Sequence, residues 1–262
     1  MSGQGRADSP PPRVLVLSPP APEWLGPIRA LYSLWDHSHA RGEWAADLER
    51  RLLGRAGAGS LDRFYLVTHG EQVAAALDVS RSADFGGLAI VHRVFTHPAA
   101  RRKGLARSLL EAAKRDFLDA CGRLLIVAAP GTGPAREFYS AQGFSEIVRA
   151  ADGTSLLGWA ARGRQVREAL LRFLRQEPVS FRAARSGDWA ALVAWSSLPG
   201  GRPDYSPPTI LDSEWIGVLG GAGIEVGESR HGYIVAARPC AQGGTAAPRR
   251  PEWLERLLAA AR

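Results

Sequence analysis

The six residues Arg101-Arg102-Lys103-Gly104-Leu105-Ala106 constrain this chain more than any others, because of what flanks them. Ahead of them runs an apolar, strand-like segment, Ala89 to Thr96, closed by His97-Pro98. After them Leu105, Leu109, Leu110, Ala113, Phe117 and Leu118 recur at helical spacing and predict an amphipathic helix with these residues on one face. A strand that turns through a basic, glycine-containing loop into a helix gathers unpaired N–H groups and the positive helix end at one spot. Such a spot suits a phosphate or pyrophosphate. Gly104 lets the backbone approach the anion closely, and Ala106 keeps the first turn small. The loop lacks the six-residue frame of a P-loop and the three glycines of a dinucleotide fingerprint.

The loop has the form Arg-x-x-Gly-x-Ala and lies three residues after Pro98. Downstream, Leu124 to Ala129 reads as a buried strand, followed by Ala135-x-x-Phe138-Tyr139-x-x-x-Gly143-Phe144. These two blocks, in this order and separated by one helix and one strand, resemble the GNAT superfamily of acyl-CoA-dependent N-acyltransferases. The resemblance covers about residues 13 to 160 and is most specific from Val94 to Phe144. It implies a mixed, twisted α/β sheet with helices on both faces and acetyl-CoA as acyl donor. By the same resemblance the pyrophosphate is held by Arg101, Arg102, Lys103, Gly104, Leu105 and Ala106. The pantetheine arm would lie along the backbone of Val94, Phe95 and Thr96.

The resemblance also implies that Tyr139 protonates the departing thiolate. Thr132 stands where many family members carry an asparagine that bonds the pantetheine amide, and its hydroxyl can serve the same contact. An acceptor amine is protonated at neutral pH and must lose a proton before it attacks, so a base is expected. The acidic residue common on this strand of the family is missing. His92 is the first candidate, placed by simple alternation on the strand face of Val94 and Thr96, and Asp78 is the second. His97 reads as a solvated turn residue. Trp24, Trp35 and Trp44, with Asp36, His37 and His39, fall in the first helical region, which in the family lines the acceptor pocket. His37 and His39 are two apart, which on a helix turns their rings to different faces, so no metal is expected.

At 262 residues with 45% apolar composition, the chain can bury a core and exceeds one domain of ordinary size. Net charge is +7, yet all but two of the 33 basic residues, Lys103 and Lys114, are arginines scattered along the chain. No contiguous stripe with groove-reading elements is visible, so no nucleic-acid partner is expected. No apolar run nears the ~18 residues of a membrane span, and residues 1–12 are polar and proline-rich, which predicts a disordered tail and a cytoplasmic location. Cys121 and Cys240 are too far apart in sequence to suggest a framework. Cys121, beside Gly122, reads as a small buried packing residue.

Elements are predicted as a strand at 14–17, helices from about 22 and over 43–55, and a hairpin of 64–68 and 73–79. The Leu88 strand, the Gly104 helix, the Leu124 strand, a helix over 134–142 and strands at 144–148 and 156–160 complete a first domain of residues 13–160. A connector helix over 161–177 follows, then a smaller α+β domain over 178–262 that echoes the first half of the chain without a phosphate loop. A degenerate half-copy and an unrelated cap both fit it. The expected activity is acetyl transfer to a primary amine of a small molecule or peptide, by direct attack on the thioester. The alternative is an acyl-CoA-binding regulatory or scaffold protein without turnover. A homodimer is compatible with either.

Overall fold

The computed structural model describes residues 13–35, 42–56, 60–82, 87–149, 153–166, 168–169, 180–183, 188, 224–228 and 234–239. The expected tail over 1–12, Asp36, His37, His39, Cys240 and most of the connector helix lie outside these residues, as does the side chain of Trp44. In chain order the chain forms β1 (Leu15–Leu17), α1 (Leu25–Tyr32), α2 (Gly42–Leu52), β2 (Ser60–His69), β3 (Gln72–Ser82) and β4 (Leu88–Thr96). Then come α3 (Leu105–Asp119), β5 (Leu124–Pro130), α4 (Pro134–Ala141), β6 (Ser145–Arg149) and β7 (Thr154–Ala160). Beyond these lie β8 (Ser180–Ala183), β9 (Ile224–Glu228) and β10 (Ile234–Pro239).

Strands β1 to β7 make one mixed sheet in the order β1-β2-β3-β4-β5-β7-β6. Among the described residues its single parallel pair is β4 with β5. A parallel pair cannot be closed by a tight turn, and α3 supplies the crossover. Alternation on β2 shows how both faces are buried. Tyr65 and Val67 join the core under α3 and α4, with Leu109, Leu110, Ala113 and Phe117. Phe64 and Leu66 join the core under α1 and α2, with Ile28, Leu31, Leu48 and Leu52. Helices on both faces of a mixed sheet are thus found as the sequence predicts.

Several local expectations are corrected. Leu118 is 39% exposed: the helical stripe of α3 ends at Phe117, and one residue further the side chain has turned off the sheet. Cys121 is exposed and adopts a left-handed backbone with φ 59° at the turn after α3, so it does not pack in the core. Helix α1 ends at Tyr32, before Trp35, and Trp24 lies in the 3-10 turn that precedes it. The predicted hairpin is longer at both ends, spanning Ser60 to Ser82.

Two packing details fix the elements that border the candidate site. Lys114 of α3 is buried, donates from Nζ to the Gln142 carbonyl oxygen at 2.6 Å, and lies 5.0 Å from the Trp159 ring centroid. It therefore clamps the end of α4 to α3. After β7 the chain folds back on the sheet, where a Cβ at Gly158 would come within 2.5 Å of Val166 Cγ1; only glycine leaves that room. A separate antiparallel sheet pairs β8 with β9 and β9 with β10, the same succession as β1, β2 and β3.

Candidate active site

Strands β4 and β5 pair only at Leu88–Leu124, Ala89–Leu125 and Ile90–Ile126. Beyond Ile90 the two strands part, although β4 runs on to Thr96 and β5 to Pro130. The edge of β4 from Val91 to Thr96 thus faces a cleft instead of a neighbouring strand. Val94, Phe95 and Thr96, the predicted pantetheine-side residues, all lie on this stretch.

The break coincides with a bulge. On the β3 side the register steps from Asp78–His92 to Ala76–Phe95, and Arg93 takes a left-handed backbone with φ 50°. A non-glycine residue at such a φ inside a strand costs on the order of 1–3 kcal/mol, so surrounding structure must enforce it. The extra residue also reverses the alternation. His92 stands opposite Asp78, and Phe95 opposite Ala76, both on the α1 and α2 face. Val94 packs with the core of the other face. The expectation that His92 shares a face with Val94 and Thr96 is therefore wrong, because simple alternation does not survive a bulge.

At the far end of β4 the chain makes a 3-10 turn, Pro98–Ala100, capped by His97, whose Nδ1 accepts from the Ala99 N–H at 3.2 Å. Gly104 follows as the N-cap of α3, with φ 76° and ψ 5°, and no side chain caps the helix. The first-turn amides of Leu105, Ala106 and Arg107 have no intrahelical acceptor, and the positive end of a 15-residue helix opens here. A Cβ on Gly104 would meet no atom within 4 Å, so the space over its α-carbon is open. Both the left-handed backbone and that space fit the reading of the loop as a phosphate cradle. Arg101, Arg102, Lys103 and Gly104 are exposed, and Leu105 and Ala106 half-buried. Arg101 lies 5.6 Å from the Phe95 ring centroid. Trp35, 40% exposed, stacks on the same Phe95 ring at 5.2 Å. A groove of about 850 Å³ adjoins the loop on the β2–β3 side, with Arg13, His69, His97 and Lys103 among its lining residues.

Across the cleft, Gly131-Thr132-Gly133 forms the turn from β5 into α4, and Thr132 is exposed there. Tyr139 is 6% exposed and packs edge-on against Phe138 and Phe144, at 5.1 and 5.5 Å. Burial pushes its phenol well above the usual value, so it stays protonated at neutral pH.

Behind the bulge lies a buried ionic cluster that the sequence reading missed. Asp78 is fully buried and pairs with Arg93 at 2.9 Å and Arg51 at 2.7 Å. Asp47 of α2 accepts from both terminal nitrogens of Arg93 at 3.0 Å. Asp62 accepts from Arg51 at 2.8 Å. Although burial opposes its charge, Arg51 and Arg93 hold the Asp78 carboxyl well below the usual range. His92 is 6% exposed, and burial together with the nearby Arg51 charge pushes it down to about 3. Its Nδ1 has no hydrogen-bond partner. The signal was present in α2: Asp47 and Arg51 flank Leu48 and Leu52 on the apolar face, where isolated charges are not expected. Among the described residues, no group of three or more His, Cys, Asp or Glu is arranged to hold a metal ion. No helix among them is long and apolar enough to cross a membrane.

The site joins an uncapped helix start to a parted pair of parallel strands, an arrangement that suits an extended, phosphate-bearing ligand. Residues 60–146 match the family model described as an acetyltransferase (GNAT) domain. No curated protein matches the chain. Among solved structures it is similar to an acetyltransferase from Thermus thermophilus, at 19% identity over 56% of this chain and 96% of that one, TM-score 0.45. It is similar also to the aminoglycoside 6'-N-acetyltransferase from Enterococcus faecium, at 9% identity over 58% of this chain and 99% of that one, TM-score 0.48. A third is the PaiA N-acetyltransferase from Thermoplasma acidophilum in complex with coenzyme A, at 13% identity over 56% of this chain and 99% of that one, TM-score 0.45.

Proposed function

We propose that this protein transfers an acetyl group from acetyl-CoA to a primary amine, that of a small molecule in preference to a peptide. The observation that carries the reading is the parting of β4 from β5 beside the uncapped, glycine-started helix α3. The pyrophosphate takes the amides and cationic side chains of residues 101–106, while the pantetheine arm lies along Val94 to Thr96 and reaches Thr132 across the cleft. The amine nitrogen attacks the thioester carbonyl carbon, the carbon–sulfur bond breaks, and the thiolate leaves. Tyr139, kept protonated by burial, donates to that sulfur.

In this reading the two sequence-derived base candidates do not take the proton. Asp78 is locked between two arginines, and His92 is enclosed with its pKa held at about 3, so neither is a sink for an ammonium proton. In this reading the amine sheds its proton to water, and His92 stays neutral. The absence of a working base at these two positions also favours the second reading, an acyl-CoA-binding regulatory protein without turnover. Thiol release from acetyl-CoA against a panel of amines, read beside calorimetric CoA binding, separates them. Amine-dependent release supports transfer; binding at one site per chain without release supports the sensor; no binding refutes both.

A further inference from the structure

We infer that Arg93, held by Asp47 and Asp78, is a positioning residue that sets the backbone of β4 against the reacting thioester. The inference rests on the acyl-CoA reading above and adds to it the device that shapes the reacting edge. Arg93 sits three residues past Ile90, the last residue of β4 that pairs with β5, and its left-handed φ of 50° creates the bulge. Nothing about a β-strand favours that backbone in an arginine, so the side chain's partners must hold it. They do so from two separate elements. Asp78 of β3 accepts from Nε at 2.9 Å and from Nη2 at 3.2 Å. Asp47 of α2 accepts from Nη1 and Nη2, both at 3.0 Å. The guanidinium is therefore gripped on two of its edges, a geometry that a planar fork allows and an ammonium does not.

All three side chains are nearly inaccessible, at 2%, 5% and 0% exposure for Arg93, Asp47 and Asp78. The Arg93 carbonyl is pinned as well, because Tyr32 Oη of α1 donates to it at 2.8 Å. Side chain and peptide of this one residue are thus anchored to α1, α2 and β3 together. Such anchoring exceeds what holding α2 on the sheet requires, since Arg51 already ties α2 to Asp62 and Asp78. It fixes the orientation of the peptides on the edge of β4 that has parted from β5. On the acyl-CoA reading the thioester lies along this edge, and dipoles held in place before reaction act most strongly on charge that develops there.

The test uses acetyl-CoA labelled with carbon-13 at the thioester carbonyl, bound to the full chain, and reads the carbonyl stretch by difference infrared spectroscopy. In the parent the band should lie below its position for free acetyl-CoA. Arg93→Lys keeps the charge and loses the fork; Asp47→Asn keeps the shape and loses one carboxylate. Either should move the band at least halfway back toward the free position, while acetyl-CoA affinity changes by less than about threefold because the phosphate loop is untouched. A purely structural Arg93 would lower the melting temperature and leave the band of the folded variant where the parent has it, which overturns the inference. A parent band at the free position overturns it too, as does loss of folding in both variants. If the parent fails to bind acetyl-CoA at all, the functional reading itself falls and this inference with it.

Discussion

Substituting His92 tests the burial of the bulge without knowing the acceptor. The folded protein holds this imidazole at about 3, against the usual 6.5, through burial and the Arg51 charge. Between those values the unfolded chain binds a proton at this position that the folded chain does not. Stability therefore rises with pH across the window and is lost as pH falls through it. Integrating from pH 7 to pH 5 gives a loss of about 2 kcal/mol attributable to His92 alone. His92→Asn keeps a polar group of similar reach and removes the titration. Urea unfolding of parent and variant at pH 7, 6 and 5 measures both curves, and groups unaffected by the substitution cancel in the difference. The variant should lose less stability over this range by about 2 kcal/mol, whatever its absolute stability. Parallel curves would mean that His92 is solvated and free to protonate, which would contradict its enclosure and restore it as a candidate base.

Gly104→Glu should abolish CoA binding in calorimetry while far-ultraviolet circular dichroism stays native, since a carboxylate would fill the open space over a left-handed position. Tyr139→Phe keeps the ring packed between Phe138 and Phe144. It should lower kcat by roughly ten- to a thousand-fold with little change in KM for acetyl-CoA, as for a contact made mainly in the transition state. An unchanged kcat would leave Tyr139 as a core residue. Leu110→Ala, at a fully buried position of α3, should cost about 2–5 kcal/mol in chemical denaturation. A cost under half a kilocalorie would show that α3 is not packed on the sheet as described.

Gly104, the apolar stripe of α3 and the Phe138-Tyr139 helix were legible in the sequence because their causes are local. A glycine in a basic loop before an apolar helical stripe announces a close backbone approach, and Leu109, Leu110, Ala113 and Phe117 repeat at the helical period whatever they pack against. The same reasoning failed just beyond, at Leu118 and at Cys121, one and four residues past Phe117, since where a stripe stops depends on the surface beneath it. Trp35 shows the limit in another form. It continues the apolar spacing of α1, yet the helix ends before it and its ring is used against Phe95.

The sequence by itself determined the order of elements in the first sheet and the glycine-started turn into α3. Each rests on backbone conformation and periodicity within a short stretch of chain. Only the tertiary structure decided which way β4 faces after Val91. The bulge at Arg93 exists because Asp47 and Asp78, brought from 46 and 15 residues away, compensate its buried guanidinium. A charge taken out of water must find its partners, and the backbone bends to let it. That constraint turned His92 to the other face and locked Asp78 between two arginines, through residues that no local pattern connects.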